Sequence, residues 1–500
     1  MTFPFFVYIT VVANAVGAFG SLAAGLADRW GRANLVAYGL LVTGALTLFG
    51  IPNASGEWAY AVLFCAIGLV EGVILVATPA LVRDFSPQLG RASAMGFWTL
   101  GPVVGSLVVS VVSSNTVGSL HPWQDQFIIC GIVGLVVAAI ALVGLRELSP
   151  ALRDQLMVSL RDRALIEAKA RGLNVEESLR NPWRQMMHLD VIGSAFAISV
   201  FLIVYYTAVG FFTVYFTTIH GFSLSTANSI GNWFWAFDAG ALIVVGIISD
   251  RVGVRKPFMV VGGVGAVIMT IVFLNLGAGT SYSTFALVIS FNAVFLAIAY
   301  GPWMASFTET VEKHNPALTA TGLAVWGWIV RAVVAISIVI LPSVISSMTP
   351  LVTYGTPVAT LSAKYAPQLA TLQAIDPQTL GALQANPTNA AAGAKAVGEI
   401  VTTFKIGPAD ATARLTAVAS VPRADLLFLQ AHGPDVQKAA VDAPGQWRTW
   451  WWVCVGGEVA FLPFILVMAG RWSPRRARQD AQAHESAVQA ELATLQAEQA

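Results

Sequence analysis

Four ionisable side chains stand inside long apolar runs: Glu71 in 57–82, Asp238 in 226–248, Arg331 in 318–345 and Glu458 in 449–470. A charge near mid-bilayer costs about 2.5–3.5 kcal/mol on insertion scales, so each of these positions is a candidate for function. A carboxyl group taken out of water favours its neutral form and can carry a proton. Glu71 and Asp238 are therefore the expected proton-coupling residues. An arginine keeps its charge, and its planar fork suits a carboxylate or phosphate group. Arg331 is thus the expected binding residue for an anionic solute. The structural alternative is pairing, in which an Asp238–Arg331 bridge ties two helices together. A bridge of that kind that breaks on binding would act as a switch.

The elements that hold these residues follow from composition. The chain has 500 residues, 56% hydrophobic and 11% charged, with a mean hydropathy of +0.69. Soluble domains carry about 25% charged residues, so no soluble surface can be built from this chain alone. Apolar runs of bilayer length are read at 4–27, 34–51, 57–82, 93–113, 126–145, 191–217, 226–248, 258–276, 284–307, 318–345 and 449–470, which makes eleven. The expected fold class is an all-α multi-pass membrane protein. The net charge of +1 gives no footprint for nucleic acid. Cys65, Cys130 and Cys454 each lie in an apolar run, which is no disulfide framework. All six His fall in connecting segments, and neither CxxC nor HExxH occurs, so neither a metal nor a cofactor is expected. No nucleophile, base and orienter set is found, so an enzyme is not expected.

Basic residues orient the segments. Of the 28 Lys and Arg, 20 lie in one alternate set of connections and the tail, seven lie in 346–448, and Arg331 is inside a run. The short opposite loops hold none. The basic connections and the C-terminus are therefore expected on the cytoplasmic side of the cell membrane.

Internal repeats come next. Asp28-Arg29-Trp30-Gly31-Arg32 returns 222 residues later as Asp250-Arg251-Val252-Gly253-Val254-Arg255. Ser86-Pro87-Gln88-Leu89 is echoed 229 residues on by Asn315-Pro316-Ala317-Leu318. The similar offsets predict two halves in parallel orientation, one of the repeat schemes of transporters.

On these residues the chain resembles the major facilitator superfamily, whose signature between the second and third helices reads roughly G-x-L-A-D-R-x-G-R-K. Ala24 and Ala33 depart from the signature at its first and last positions, and Val254 departs in the second copy. The resemblance covers about 4–345 and 449–470. It implies two six-helix bundles, a central cavity, alternating access and twelve helices, of which eleven are present. It also places the signature after the second helix, so one more helix is expected ahead of Met1, from a misassigned start. In the family's order, Glu71, Asp238, Arg331 and Glu458 sit on helices 4, 8, 11 and 12; the first three usually border the cavity and the last is peripheral.

The repeated turn then has a physical account. A tight turn needs free dihedrals, hence Gly31 and Gly253. Asp28 and Asp250 can cap a helix or pair with Arg, while Arg29, Arg32, Arg251 and Arg255 can grip carbonyls at a helix end. Together these eight form the expected cytoplasmic gate motif, a latch closed in one state only. The plainer reading is a topology anchor, which needs neither the Asp nor the Gly.

Other residues discriminate less. Asn232 and Asn292 require partners inside a bilayer, from a solute or from a neighbouring helix. Tyr206 and Trp303 join them as expected substrate-binding residues. Trp450, Trp451 and Trp452 read as an interfacial aromatic belt. Gly101-Pro102-Val103-Val104-Gly105 resembles an element of drug antiporters, but Ser106 and Phe97 depart from it and a Pro kink with close packing explains it. The family's helix-4 Arg motif is absent, with Gly68 in its place. Gly262-Gly263-Val264-Gly265 lies in an apolar run with no preceding strand and is no dinucleotide loop.

The domain plan is 1–145 first bundle, 146–190 linker with an amphipathic helix, 191–345 second bundle, 346–447 extracytoplasmic insertion, 448–470 last span and 471–500 tail. The insertion contains short helical patterns at 358–373 and 378–385; it caps the entrance, binds a partner, or is a tolerated addition. The expected function is a secondary active transporter of a small solute, an organic anion or metabolite, coupled to protons within the lipid bilayer. A drug/proton antiporter is the alternative. A receptor built on the insertion is the alternative of another class.

Overall fold

The computed structural model describes residues 2–22, 32–85, 91–117, 123–146, 182–315, 319–386 and 388–476, with Gln479, Gln482, Ala483 and Ser486 beyond them. The first copy of the repeated turn, Asp28, Arg29 and Gly31, and the predicted amphipathic helix of the linker lie outside the described residues. Arg32 opens a helix, but its side chain is also outside them.

Apolar runs become helices because a lipid environment leaves no other partner for backbone N–H and C=O groups. The first half consists of α1 (Phe3–Leu22), α2 (Arg32–Ala45), α3 (Glu57–Phe85), α4 (Arg91–Thr116) and α5 (Gln124–Gly144). A π-helical turn at Leu46–Gly50 and a short 3-10 turn at Ile51–Asn53 extend α2. Helix α3 packs on α1, α2 and α4, and α5 packs on α2.

The second half begins with α6 (Leu189–Phe201) and α7 (Ile203–His220), one apolar span interrupted at Leu202, where ψ is 2°. It continues with α8 (Leu224–Val252), α9 (Lys256–Leu274), α10 (Tyr282–His314) and α11 (Thr319–Val344). Helix α10 packs on both α8 and α9. The halves meet along two seams, α4 against α8 and α1 against α11. Among the described residues, ten helices are long and apolar enough to cross a membrane, and Leu100–Thr116 is a shorter apolar helix.

Ile345–Gln446 forms a compact unit of its own. Its helices are α12 (Met348–Lys364), α13 (Ala366–Gln373), α14 (Pro377–Ala385), α15 (Ala390–Phe404), α16 (Pro408–Ala419) and the first part of α17 (Arg423–Val467). Ile375, Ala396, Ile400 and Ala411 make its small core. Tyr365 donates a hydrogen bond of 2.7 Å to Asp425. The segment from Trp447 onward belongs to the helical bundle.

There α17 is held by close contacts. A Cβ at Gly457 would come within 2.3 Å of the Val200 carbonyl oxygen, and Phe201 and Phe461 meet with centroids 4.8 Å apart. Trp450 and Trp451 are buried rather than belt residues. Trp450 donates to the Thr207 hydroxyl at 3.0 Å, and Trp451 joins a cluster with Tyr215, Phe212 and Phe273. A buried indole N–H needs an acceptor, and helix α7 supplies it for Trp450. Only Trp452, half exposed, keeps an outward face.

Candidate functional site

Small residues bring α1 and α3 together. Ala13 and Gly17 on α1 face Gly68 and Gly72 on α3, each pair four residues apart. A Cβ at Gly72 would lie 2.0 Å from the Gly17 carbonyl oxygen, and one at Gly68 would lie 2.7 Å from that of Ala13. Backbone contact of this kind is the small-residue mode of helix packing in membranes. It sets Glu71, between the two α3 glycines, beside α1.

A cavity of about 150 Å³ opens at this place. Thr10, Asn14 and Gly17 line it from α1, Ile67, Glu71 and Gly72 from α3, and Arg331 from α11. Glu71 and Arg331 are both exposed side chains. They come from opposite halves of the chain and form no ion pair with each other among the described residues. The Asn14 side-chain amide donates to the Thr10 carbonyl at 2.8 Å, and the Thr10 hydroxyl donates to that of Phe6 at 3.0 Å. One acid, one base and a polar wall thus surround a small volume.

Asp238 is elsewhere. It is buried in α8, within electrostatic reach of Tyr205 and Tyr300. No ion pair joins it to Arg331. Tyr205 meets Trp235 and Tyr206 edge-on at 5.3 and 5.4 Å, and Tyr206 lies within electrostatic reach of Arg331. Adjacent tyrosines therefore connect the surroundings of the two charges. Trp303 is fully buried and stacks on Phe307 at 4.9 Å, with Trp326 at 5.6 Å.

The two amides sit away from Glu71. Asn292 is buried and donates to Thr270 at 2.9 Å; Thr270 in turn donates to Glu458 at 2.8 Å. This chain joins α10, α9 and α17 inside the second half. Asn232 donates to Ser114 across the α4–α8 seam at 3.0 Å. Ser110 donates to the Asn228 carbonyl at 2.8 Å, and Ser225 donates to the Ser114 carbonyl in the same seam.

A typical net hydrogen bond contributes about 0.5–1.5 kcal/mol. Asn232→Ala is therefore expected to shift the equilibrium toward a separated seam by roughly 2- to 10-fold. Spin-label distances between α4 and α8 would report it. An unchanged distance distribution with a raised KM would instead make Asn232 a solute contact.

At the other end of α8, Gly253 caps the helix in the left-handed conformation, with φ 74°. This is the freedom that the turn was expected to need. Arg255 pairs with Asp250 at 2.7 Å, reaches Glu309 on α10 at 3.4 Å and donates to Ser249 at 2.8 Å. Lys256, rather than Arg251 or Arg255, grips a helix-end carbonyl, that of Leu466 at 3.2 Å. Arg251 is exposed.

The profile of the major facilitator superfamily matches residues 5–342. The chain belongs to that superfamily. It is a multi-pass membrane transporter, not an enzyme, and it takes a small solute across a lipid bilayer. The transporter is similar in fold to a bacterial homologue of the human lysosomal transporter Spinster. The inward-facing, unoccupied structure of that protein is 16% identical with a TM-score of 0.53, covering 95% of this chain and 92% of that one. Its inward-facing, occupied structure is also 16% identical, with a TM-score of 0.51 and coverages of 93% and 89%. A D-xylose-proton symporter is 14% identical with a TM-score of 0.48, covering 67% of this chain and 86% of that one. No curated protein matches the sequence.

Sequence reasoning missed Thr10 and Asn14 as cavity residues and the serines of the seam. The Gly68–Gly72 spacing was a signal for the α1–α3 approach. A single Ser or Thr in an apolar run carries no comparable signal, because it can satisfy itself on its own helix.

Proposed function

We propose that the transporter is a proton-coupled symporter of a small organic anion, with Arg331 as the anion-binding group and Glu71 as the coupled proton site. The observation that carries this reading is the shared cavity, in which one carboxyl group and one guanidinium from opposite halves line the same small space. Without solute, Glu71 is the only acid among the described residues that lines the cavity with Arg331. An anionic solute on Arg331 takes over that role. It leaves Glu71 beside a second negative charge, and like charges in a site of low polarity favour protonation of one of them. One proton then enters with one anion, and the loaded cavity carries less net charge across the bilayer than either partner would alone.

Asp238, buried near the tyrosines next to Arg331, is the proposed second proton site, reached through Tyr205 and Tyr206. Asn292 and Trp303 support the walls of the second half, and Tyr206 borders the arginine. The seam at Asn232 and the turn at Asp250–Arg255 are proposed gating elements at opposite ends of α8, with the turn on the cytoplasmic side.

The test uses proteoliposomes of the full chain with a pH dye inside. Small carboxylates, sugars, phosphates and lipophilic cations are added outside in turn. Acidification of the interior with carboxylates alone is the expected result. Alkalinisation with lipophilic cations would replace symport by antiport. Acidification with sugars would remove Arg331 from the role of charge partner.

A further inference from the structure

We propose that the groove between α8, α9 and α10 holds an acyl chain of an anionic phospholipid, with the phosphate bound by Arg251. The groove has a volume of about 700 Å³ and shares no residue with the Glu71–Arg331 cavity. Its walls are almost wholly apolar: Phe237, Val244 and Ile248 from α8, Val261 from α9 and Ile298 from α10. Val244 and Val261 leave 56% and 57% of their surface uncovered. Gly240 makes the hollow, since a Cβ built there meets nothing within 4 Å. Apolar surface facing lipid is ordinary in a membrane protein. A recess with small residues on its floor and a cation at its end is a shaped site.

Positions 237, 240, 244, 248 and 251 follow one another at spacings of three and four along the unbroken helix α8, so they share one stripe. Arg251 therefore stands one turn beyond Ile248, where the groove ends near Pro257 and Phe258. The neighbouring cations are engaged. Arg255 is held by Asp250, Ser249 and Glu309, and Lys256 by the Leu466 carbonyl. Arg251 makes no hydrogen bond or ion pair among the described residues. An exposed guanidinium at the end of an apolar groove matches a phosphate joined to an acyl chain.

Native mass spectrometry of the full chain in detergent, titrated with phosphatidylglycerol or phosphatidylcholine of the same acyl chains, tests this. One phosphatidylglycerol is expected to bind about fivefold more tightly than phosphatidylcholine, the preference one arginine near an anionic headgroup supplies. Arg251→Ala should remove the preference, and Arg251→Lys should keep most of it. Gly240→Leu, which fills open space, should weaken both lipids while leaving the melting temperature in lipid-free detergent unchanged. Equal binding of the two lipids, or wild-type binding by both Arg251→Ala and Gly240→Leu, would overturn the proposal. So would a dimer abolished by Gly240→Leu, because a second copy would then fill the groove.

Discussion

Arg331→Ala is expected to lower kcat/KM for the transported anion by about 30-fold or more. Losing the charge-assisted hydrogen bonds to the solute costs about 1.5–3 kcal/mol, and 2 kcal/mol corresponds to about 30-fold in affinity. Among the described residues Arg331 is the only basic one lining the cavity, so none of those replaces its charge. The loss should appear chiefly in KM, because the arginine is placed to hold the solute in every loaded state. Arg331→Lys separates two modes of recognition. Retained uptake in the lysine variant means that a point charge suffices. Loss in both variants means that the planar fork makes two parallel bonds to the carboxylate. Unchanged uptake in Arg331→Ala, measured with radiolabelled solute in proteoliposomes, would move the binding site out of this cavity.

Glu71→Gln is expected to separate exchange from net transport. The amide keeps the size of the side chain but cannot release a proton. The loaded carrier therefore still forms, and labelled solute outside should exchange for unlabelled solute inside at a rate near that of the wild type. Net uptake driven by a pH gradient requires the empty carrier to return. In that step Arg331 passes through the occluded state without an acid in its cavity, and a charge enclosed there uncompensated costs about 3–5 kcal/mol. Net uptake should fall by more than about 30-fold, and the residual flux should no longer respond to the imposed pH gradient. Net uptake that still follows the gradient in Glu71→Gln would transfer the coupling role to Asp238. Asp238→Asn is then the variant that loses it.

Local features were the legible ones. The turn at 250–255 was readable because Asp, Gly and Arg there have few other uses at the end of an apolar run, and the structure shows both the left-handed glycine and the Asp250–Arg255 pair. The helical patterns in the insertion were partly readable: 378–385 lies within Pro377–Ala385, whereas 358–373 is broken at Tyr365 into the end of Met348–Lys364 and Ala366–Gln373. Trp450 and Trp451 were misread because an indole near a span end suits either an interface or a core. What decided between them was the Thr207 hydroxyl, which is 243 residues away in the chain. Asn292 and Asn232 were equally open. Each is an amide in a helix, and each turned out to bond to a helix that the sequence does not name.

The sequence by itself determined that this chain crosses a membrane many times and that it places acids and a base where lipid would otherwise exclude them. Those properties depend on the length of apolar runs and the cost of burying charge, both of which act residue by residue. Only the tertiary structure decided that Glu71 shares a cavity with Arg331 while Asp238 does not, and that Glu458 ends a chain of bonds through Thr270. The rotation of each helix about its axis settles such meetings. That rotation is set by backbone contacts such as Gly72 on Gly17 and by the side chains that fill the seams, contacts between segments that are distant in the chain.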